Sequence, residues 1–169
     1  KRNRRIDHYL HTTSCFIIKS LVDEGIGTLV IGKNDGWKQE INTGTRNNRN
    51  FVQIPHGRLI EQLCYKAELV GITVLLTEES YTSKASFLDH DPLPVRKSGD
   101  SEKHVFSGKR IKRGLYRAAD GRLMNADING AGNIIRNVAP DAFGPEGVEG
   151  PVVHPVRITL AKQTKNRTL

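Results

Sequence analysis

LTEESYTSKAS at residues 76–86 and NADINGAGNIIRN at residues 125–137 decide how this chain is read. Each puts a carboxylate beside a turn or a helix start, and the first follows a run of strand-like residues. Two carboxylates delivered to one spot by different elements are what a divalent-metal site needs. The basic balance around them makes a phosphodiester the group that such a metal would face.

Working outward, residues 72–76 (ITVLL) form a short apolar run that reads as a buried strand and leads straight into Glu78 and Glu79. Before it, Leu59, Ile60, Leu63, Cys64, Ala67 and Val70 recur on one helical face after Pro55, and Gly71 stops the pattern. Earlier still, Ile6, Leu10, Thr13, Ile17 and Leu21 predict a first helix ended by Gly25, and residues 27–31 (GTLVI) predict a second buried strand. Strand, helix, strand with a long connection fits parallel neighbours in an α/β sheet. Ligands bind such sheets beyond the carboxyl ends of the strands, which is where Glu78 and Glu79 stand. Each acidic residue also has a plainer reading. Asp127 suits a helix N-cap, for about 1 kcal/mol, and Glu78 and Glu79 suit a solvated strand end.

Residues 33–54 are polar and hold the only tryptophan, Trp37, which with Lys33 and Lys38 is either a stacking platform or a packed loop closure. Residues 89–124 read as a flexible insertion followed by a basic hairpin, GKRIKRGLYRAADGRLM, turning near Asp120 and Gly121. A third helix begins near Asp127 and uses Ile128, Ala131, Ile134 and Ile135. Residues 138–169 form a Pro- and Gly-rich tail expected to be disordered, or to add one strand from VRITLA.

The chain has 169 residues and a formal charge of +8, with a pI near 9.7. That balance points to an acidic partner, nucleic acid first. No apolar stretch approaches ~18 residues, so no membrane partner is expected. A helical pattern already under way behind Lys1 reads as a piece of a longer protein. Cys15 and Cys64 form no CxxC and read as reduced core thiols of a cytosolic protein. Ser80, Thr82 and Ser83 lack a base with its orienting partner, which argues against a Ser/His/Asp hydrolase.

YTSKAS at residues 81–86, the basic hairpin and NADINGAGNI at residues 125–134, in this order, resemble the C-terminal half of the TnpB (OrfB) family. GTLVIGKNDGWKQ at residues 27–39 is similar to that family's strand after its connecting helix, so the resemblance covers residues 1–137. Its members are transposon-encoded, RNA-guided DNA endonucleases related to the type V CRISPR effectors. The resemblance implies a partial RNase H-like (RuvC-type) α/β fold, parallel strands with helices, and a cytoplasmic, nucleic-acid-associated protein of prokaryotic type. It implies Mg²⁺ or Mn²⁺ as cofactor, and DNA, guide RNA and the missing N-terminal part of the same protein as partners.

Carried over, Asp127 falls on the last catalytic aspartate, and Gly32 stands where the middle glutamate belongs. Glu78 or Glu79 is then the candidate for a relocated metal-binding carboxylate. The first aspartate belongs upstream of this chain, which alone is expected to be inactive. The family's four-cysteine zinc ribbon is lost: Ala85 stands at its first cysteine, and Arg117 and Asp120 near its second pair. No zinc is therefore expected, and the basic hairpin takes the ribbon's place. Arg2, Arg4 and Arg5 of the first helix, with Lys109, Arg110, Lys112, Arg113, Arg117 and Arg122 of the hairpin, are the expected nucleic-acid contacts. The competing readings are a non-catalytic nucleic-acid-binding module, decayed or binding-only, and a basic α/β interaction domain.

Overall fold

Two helix-to-strand steps, each turned by a glycine, build the first part of the chain. The computed structural model describes residues 1–33, 55–95, 103–143, 158 and 160. Helix α1 (Arg2–Asp23) leads into β1 (Thr28–Gly32), and α2 (His56–Leu69) into β2 (Thr73–Thr77). Gly25 and Gly71 turn the two steps at φ +67° and +76°, where a β-carbon would be strained. The Ile26 amide donates to the Leu21 carbonyl at 2.8 Å and Gly25 to Val22 at 3.1 Å. The second step repeats this, Ile72 to Ala67 at 2.9 Å and Gly71 to Glu68 at 3.1 Å. Each pair of bonds satisfies carbonyls that the helix end leaves over.

β1 and β2 are hydrogen-bonded neighbours. The Thr73 amide donates to Gly27 at 2.9 Å at one end, and the Lys33 amide to Thr77 at 2.7 Å at the other. Both strands therefore run the same way, as the strand–helix–strand order predicts. The described residues form two compact units, the first holding residues 1–31, 55–75, 158 and 160, the second residues 32–33, 76–95 and 103–143.

In the first unit Ile18, Leu63, Ala67 and Ile72 are buried together, and Leu29, Ile31 and Val74 of the strands pack on them. An Arg58–Asp7 ion pair ties α2 to α1. The strands are not buried on both sides as expected: Leu75 is 39% exposed. The helices cover one face, and strand alternation sends every second residue to the other. Cys15 is also no core thiol, because it faces solvent while Cys64 is half-buried; both are free.

The second unit joins a small sheet to a helix. β3 (Lys109–Lys112), β4 (Leu115–Arg117) and β5 (Leu123–Asn125) pair antiparallel in that order, and α3 (Ala126–Val138) follows directly. The expected single hairpin is thus a three-stranded meander. Its turn at Asp120 and Gly121 is present, and a second turn lies at Arg113 and Gly114, inside the run from Lys109 to Arg117 that the expected hairpin makes one strand. Phe87, Tyr116, Met124 and Ala126 are buried together, with Leu88, Ile128 and Phe143 against them. The expected apolar face of α3 also needs correction: Ala131 is exposed, and the buried stripe is Asn129, Gly132 and Asn133.

The insertion after Asp89 is held to this unit at both ends. Asp91 is buried; its carboxylate accepts from the Ser86 amide at 2.7 Å, the Ser107 amide at 3.0 Å and the Ser107 hydroxyl at 2.6 Å. Trp37, Lys38, residues 96–102 and the tail apart from residues 138–143, 158 and 160 lie outside the described residues, and the expected tail begins inside α3, which runs to Val138.

Candidate functional site

Asparagine every fourth residue organises the ground between the two informative segments. Asn125, Asn129, Asn133 and Asn137 share one side of α3, since residues four apart stack on a helix. Asn125 caps the helix, its side-chain oxygen accepting from the Asp127 amide at 2.8 Å and the Ile128 amide at 3.1 Å. Asn129 accepts from the Phe87 amide at 2.9 Å and donates to the Ala85 carbonyl at 2.9 Å. Asn133 donates to Thr82 at 2.9 Å and to Ala85 at 2.8 Å, and Asn137 to the Glu78 carbonyl at 3.0 Å.

The irregular backbone after β2 cannot pair in a sheet, so its polar groups are satisfied from the helix. Close approach is required, and Gly132 permits it: a β-carbon there would stand 2.6 Å from the Phe87 ring. The spacing of asparagines was the sequence signal for this ladder, and reading the helix by its isoleucines missed it.

At the head of the loop, Glu78 and Glu79 are half-buried. The Ser80 hydroxyl donates to the Glu78 carboxylate. Glu79 instead lies across Gly32: a β-carbon at Gly32 would come within 2.5 Å of both its Cγ and its Oε1. The space where a side chain at position 32 would begin is therefore filled by Glu79. The Thr82 amide and hydroxyl both donate to the Glu79 carbonyl, at 3.2 and 2.9 Å, fixing the turn that aims it.

Asp127 sits in the first turn of α3 with its side chain 88% exposed, Oδ1 3.6 Å from Nη2 of Arg110. Asn125, not Asp127, is the cap. The structure does not bring Asp127 together with Glu78. Asn137 holds Glu78, and Asp127 stands ten residues earlier on the same helix, about 15 Å along its axis. Among the described residues no three His, Cys, Asp or Glu side chains cluster closely enough to hold a metal ion.

The basic sheet is open to solvent, every residue of β3 being exposed. Lys109 stands directly opposite Arg117 across β3 and β4, so two like charges share one face, an arrangement unfavourable without an anion. Lys109, Lys112, Arg113 and Arg117 form no ion pair among the described residues. Arg110 is taken up by Asp127, and Arg122 by Asp120, Nε to Oδ2 at 2.5 Å. The Arg122 amide, which donates to Asp120 Oδ1 at 2.9 Å, and then the Arg122 guanidinium hold the Asp120 carboxyl below its usual range. In the first unit, Arg2, Arg4 and Arg5 are exposed at the N-terminal end of α1, whose first turn contains no acidic residue.

Hydrogen bonds hold the corner around Ala85. Its carbonyl takes both asparagine donors, and the buried Tyr116 hydroxyl donates to Lys84 at 2.7 Å. Burial, with the nearby Asp91 charge, pushes the Tyr116 phenol up to about 12. Arg117 and Asp120 point to solvent. No helix among the described residues is long and apolar enough to cross a membrane.

Residues 56–134 match the family described as the Cas12f1-like TNB domain. A cryo-EM structure of a Cas12f1–sgRNA–target DNA complex shares the fold, with a TM-score of 0.58 at 18% identity. That likeness covers 79% of this chain and 34% of the other, so the chain spans about a third of its neighbour's length. No curated protein matches. The domain match and the shared mixed α/β fold together support a relation to the TnpB and type V effector family.

Proposed function

We propose that this chain is part of an RNA-guided endonuclease that cuts DNA by metal-assisted hydrolysis, with Glu79 acting in place of the glutamate that Gly32 replaces. The observation that carries this reading is the overlap of Glu79 with the side-chain space at Gly32. Glycine is the residue that lets a carboxylate from the neighbouring strand end enter that space. Glu78 is the lesser candidate, because the three atoms nearest that space all belong to Glu79.

The described residues do not complete a metal set by themselves. In this reading Asp127 and Glu79 are two of its carboxylates, and the remaining aspartate comes from a segment upstream in the same protein. Mg²⁺ or Mn²⁺, when bound, would supply an activated water and a counter-charge for the leaving oxygen. Lys109, Lys112, Arg113 and Arg117, with Arg2, Arg4 and Arg5, hold the phosphate backbone. Guide RNA and DNA are the proposed partners, supported by the complex in which the similar fold was solved. Base pairing would then read sequence while the protein holds backbone and shape.

A second reading, a guided binder that does not cut, is favoured by one observation. Asp127 lies far along α3 from the residue that holds Glu78, and its carboxylate faces Arg110. The two readings separate in one experiment on the guide-loaded protein with target DNA and Mn²⁺. The nuclease predicts metal-dependent cutting that Asp127→Ala and Glu79→Ala abolish without loss of DNA affinity, while Glu78→Ala still cuts. Tight DNA binding with no cutting by the unaltered protein makes the binder the correct account.

A further inference from the structure

The seam between α1 and α2 holds a charge that the nucleic-acid reading leaves unused. Lys66 of α2 is a buried lysine, 8% exposed. Its Nζ donates to the His11 carbonyl at 3.1 Å and to the Ser14 hydroxyl at 2.5 Å, and lies 3.2 Å from Cys15 Sγ. The His11 ring is beside both, Nδ1 3.3 Å from Lys66 Nζ and Nε2 3.8 Å from Cys15 Sγ. Among the described residues no carboxylate pairs with Lys66.

A buried ammonium is costly unless a counter-charge balances it, and neutral oxygens supply only part of that balance. Of the groups in contact with Lys66, Cys15 is the one that carries a sulfur nucleophile, 3.2 Å from the ammonium. A thiolate, and not a thiol, is the nucleophile, and it is favoured beside lysine and histidine. Cys15 is also exposed at its outer side, so a reagent reaches it.

We propose that Cys15 is a modification site, a nucleophilic thiol that reacts with peroxide and soft electrophiles, with Lys66 as its counter-charge. With hydrogen peroxide the sulfur attacks one oxygen, an S–O bond forms and the O–O bond breaks. Hydroxide leaves and takes a proton from solvent; the sulfur is oxidised by two electrons to sulfenic acid and the peroxide is reduced to water. The half-buried Cys64 has no such neighbours among the described residues and is the internal control.

The test is iodoacetamide labelling at pH 7, with each cysteine followed separately by mass spectrometry. Rates in the folded chain are compared with those in the same chain unfolded in urea. Exposure alone cannot lift a folded cysteine above its own unfolded rate, but a neighbouring cation can. Cys15 is expected to react about fivefold or more faster folded than unfolded, and Cys64 slower. Lys66→Met should return Cys15 to its unfolded rate or below, and Lys66→Arg should keep most of the advantage. A folded rate at or below the unfolded one, or an advantage that survives Lys66→Met, overturns the proposal. The comparison within the unaltered protein stands even if Lys66→Met fails to fold.

Discussion

Glu79 lies over Gly32 so closely that a β-carbon on Gly32 would stand 2.5 Å from its Cγ and Oε1. Gly32→Ala must push Glu79 aside, at a cost of about 1–2 kcal/mol. In a Glu79→Ala background the three nearest atoms are gone, and the same substitution should cost much less. Urea denaturation of the two single variants and the double variant measures this coupling. Additive effects would mean that Glu79 spends its time away from Gly32.

The asparagine ladder should be steeply graded along α3. Asn129→Ala leaves the buried Phe87 amide without its acceptor, a loss of about 2–3 kcal/mol. Asn137 is exposed, and Asn137→Ala should cost less than about 0.5 kcal/mol. Equal losses in urea or thermal melts would show that the ladder does not carry the loop.

Tyr116 makes the second unit sensitive to alkali. Its phenol is raised from 10.0 to about 12, chiefly by burial and then by Asp91. The neutral form is the one the fold favours, so this contribution to stability is intact below pH 10. Above that the unfolded chain loses its proton first, and the contribution disappears as pH rises through 12. Stability measured from pH 9 to 12 should therefore fall in the unaltered protein and fall less in Tyr116→Phe. Matching profiles would assign the loss to other groups.

Lys109 and Arg117, paired across the sheet, should matter more for nucleic acid than for folding. If each neutralises one phosphate, Lys109→Ala or Arg117→Ala lowers the slope of log affinity against log salt by roughly 0.7–0.9. Neither should reduce stability, because each substitution removes a like-charge opposition. An unchanged slope, measured by titrations at several salt concentrations, would take this face out of the interface.

Helix spacing and glycine stops made the first unit readable before any coordinates. Leu63, Ala67 and Ile72 of the expected pattern meet in one core, but their partner on α1 is Ile18, with the Ile17 that the period picked out only half-buried against them. The motif segments around Tyr81 and Asn125 were equally plain as strings, and the matched family domain spans them. What could not be read was which atoms those strings join. A polar stripe of Asn129, Gly132 and Asn133 breaks the rule that a helix buries its apolar face. It is buried because a distant, unpaired loop needs hydrogen-bond partners.

Charge and residue type were determined by the sequence itself: a +8 chain, carboxylates after a strand and at a helix entrance, and glycine where a glutamate was expected. Tertiary structure alone decided that Glu79 fills the space at Gly32 and that Asp127 leaves the capping to Asn125. It alone also set Lys66 against Cys15. Each of these joins residues whose meeting depends on how elements pack, and local propensity carries no record of such distances.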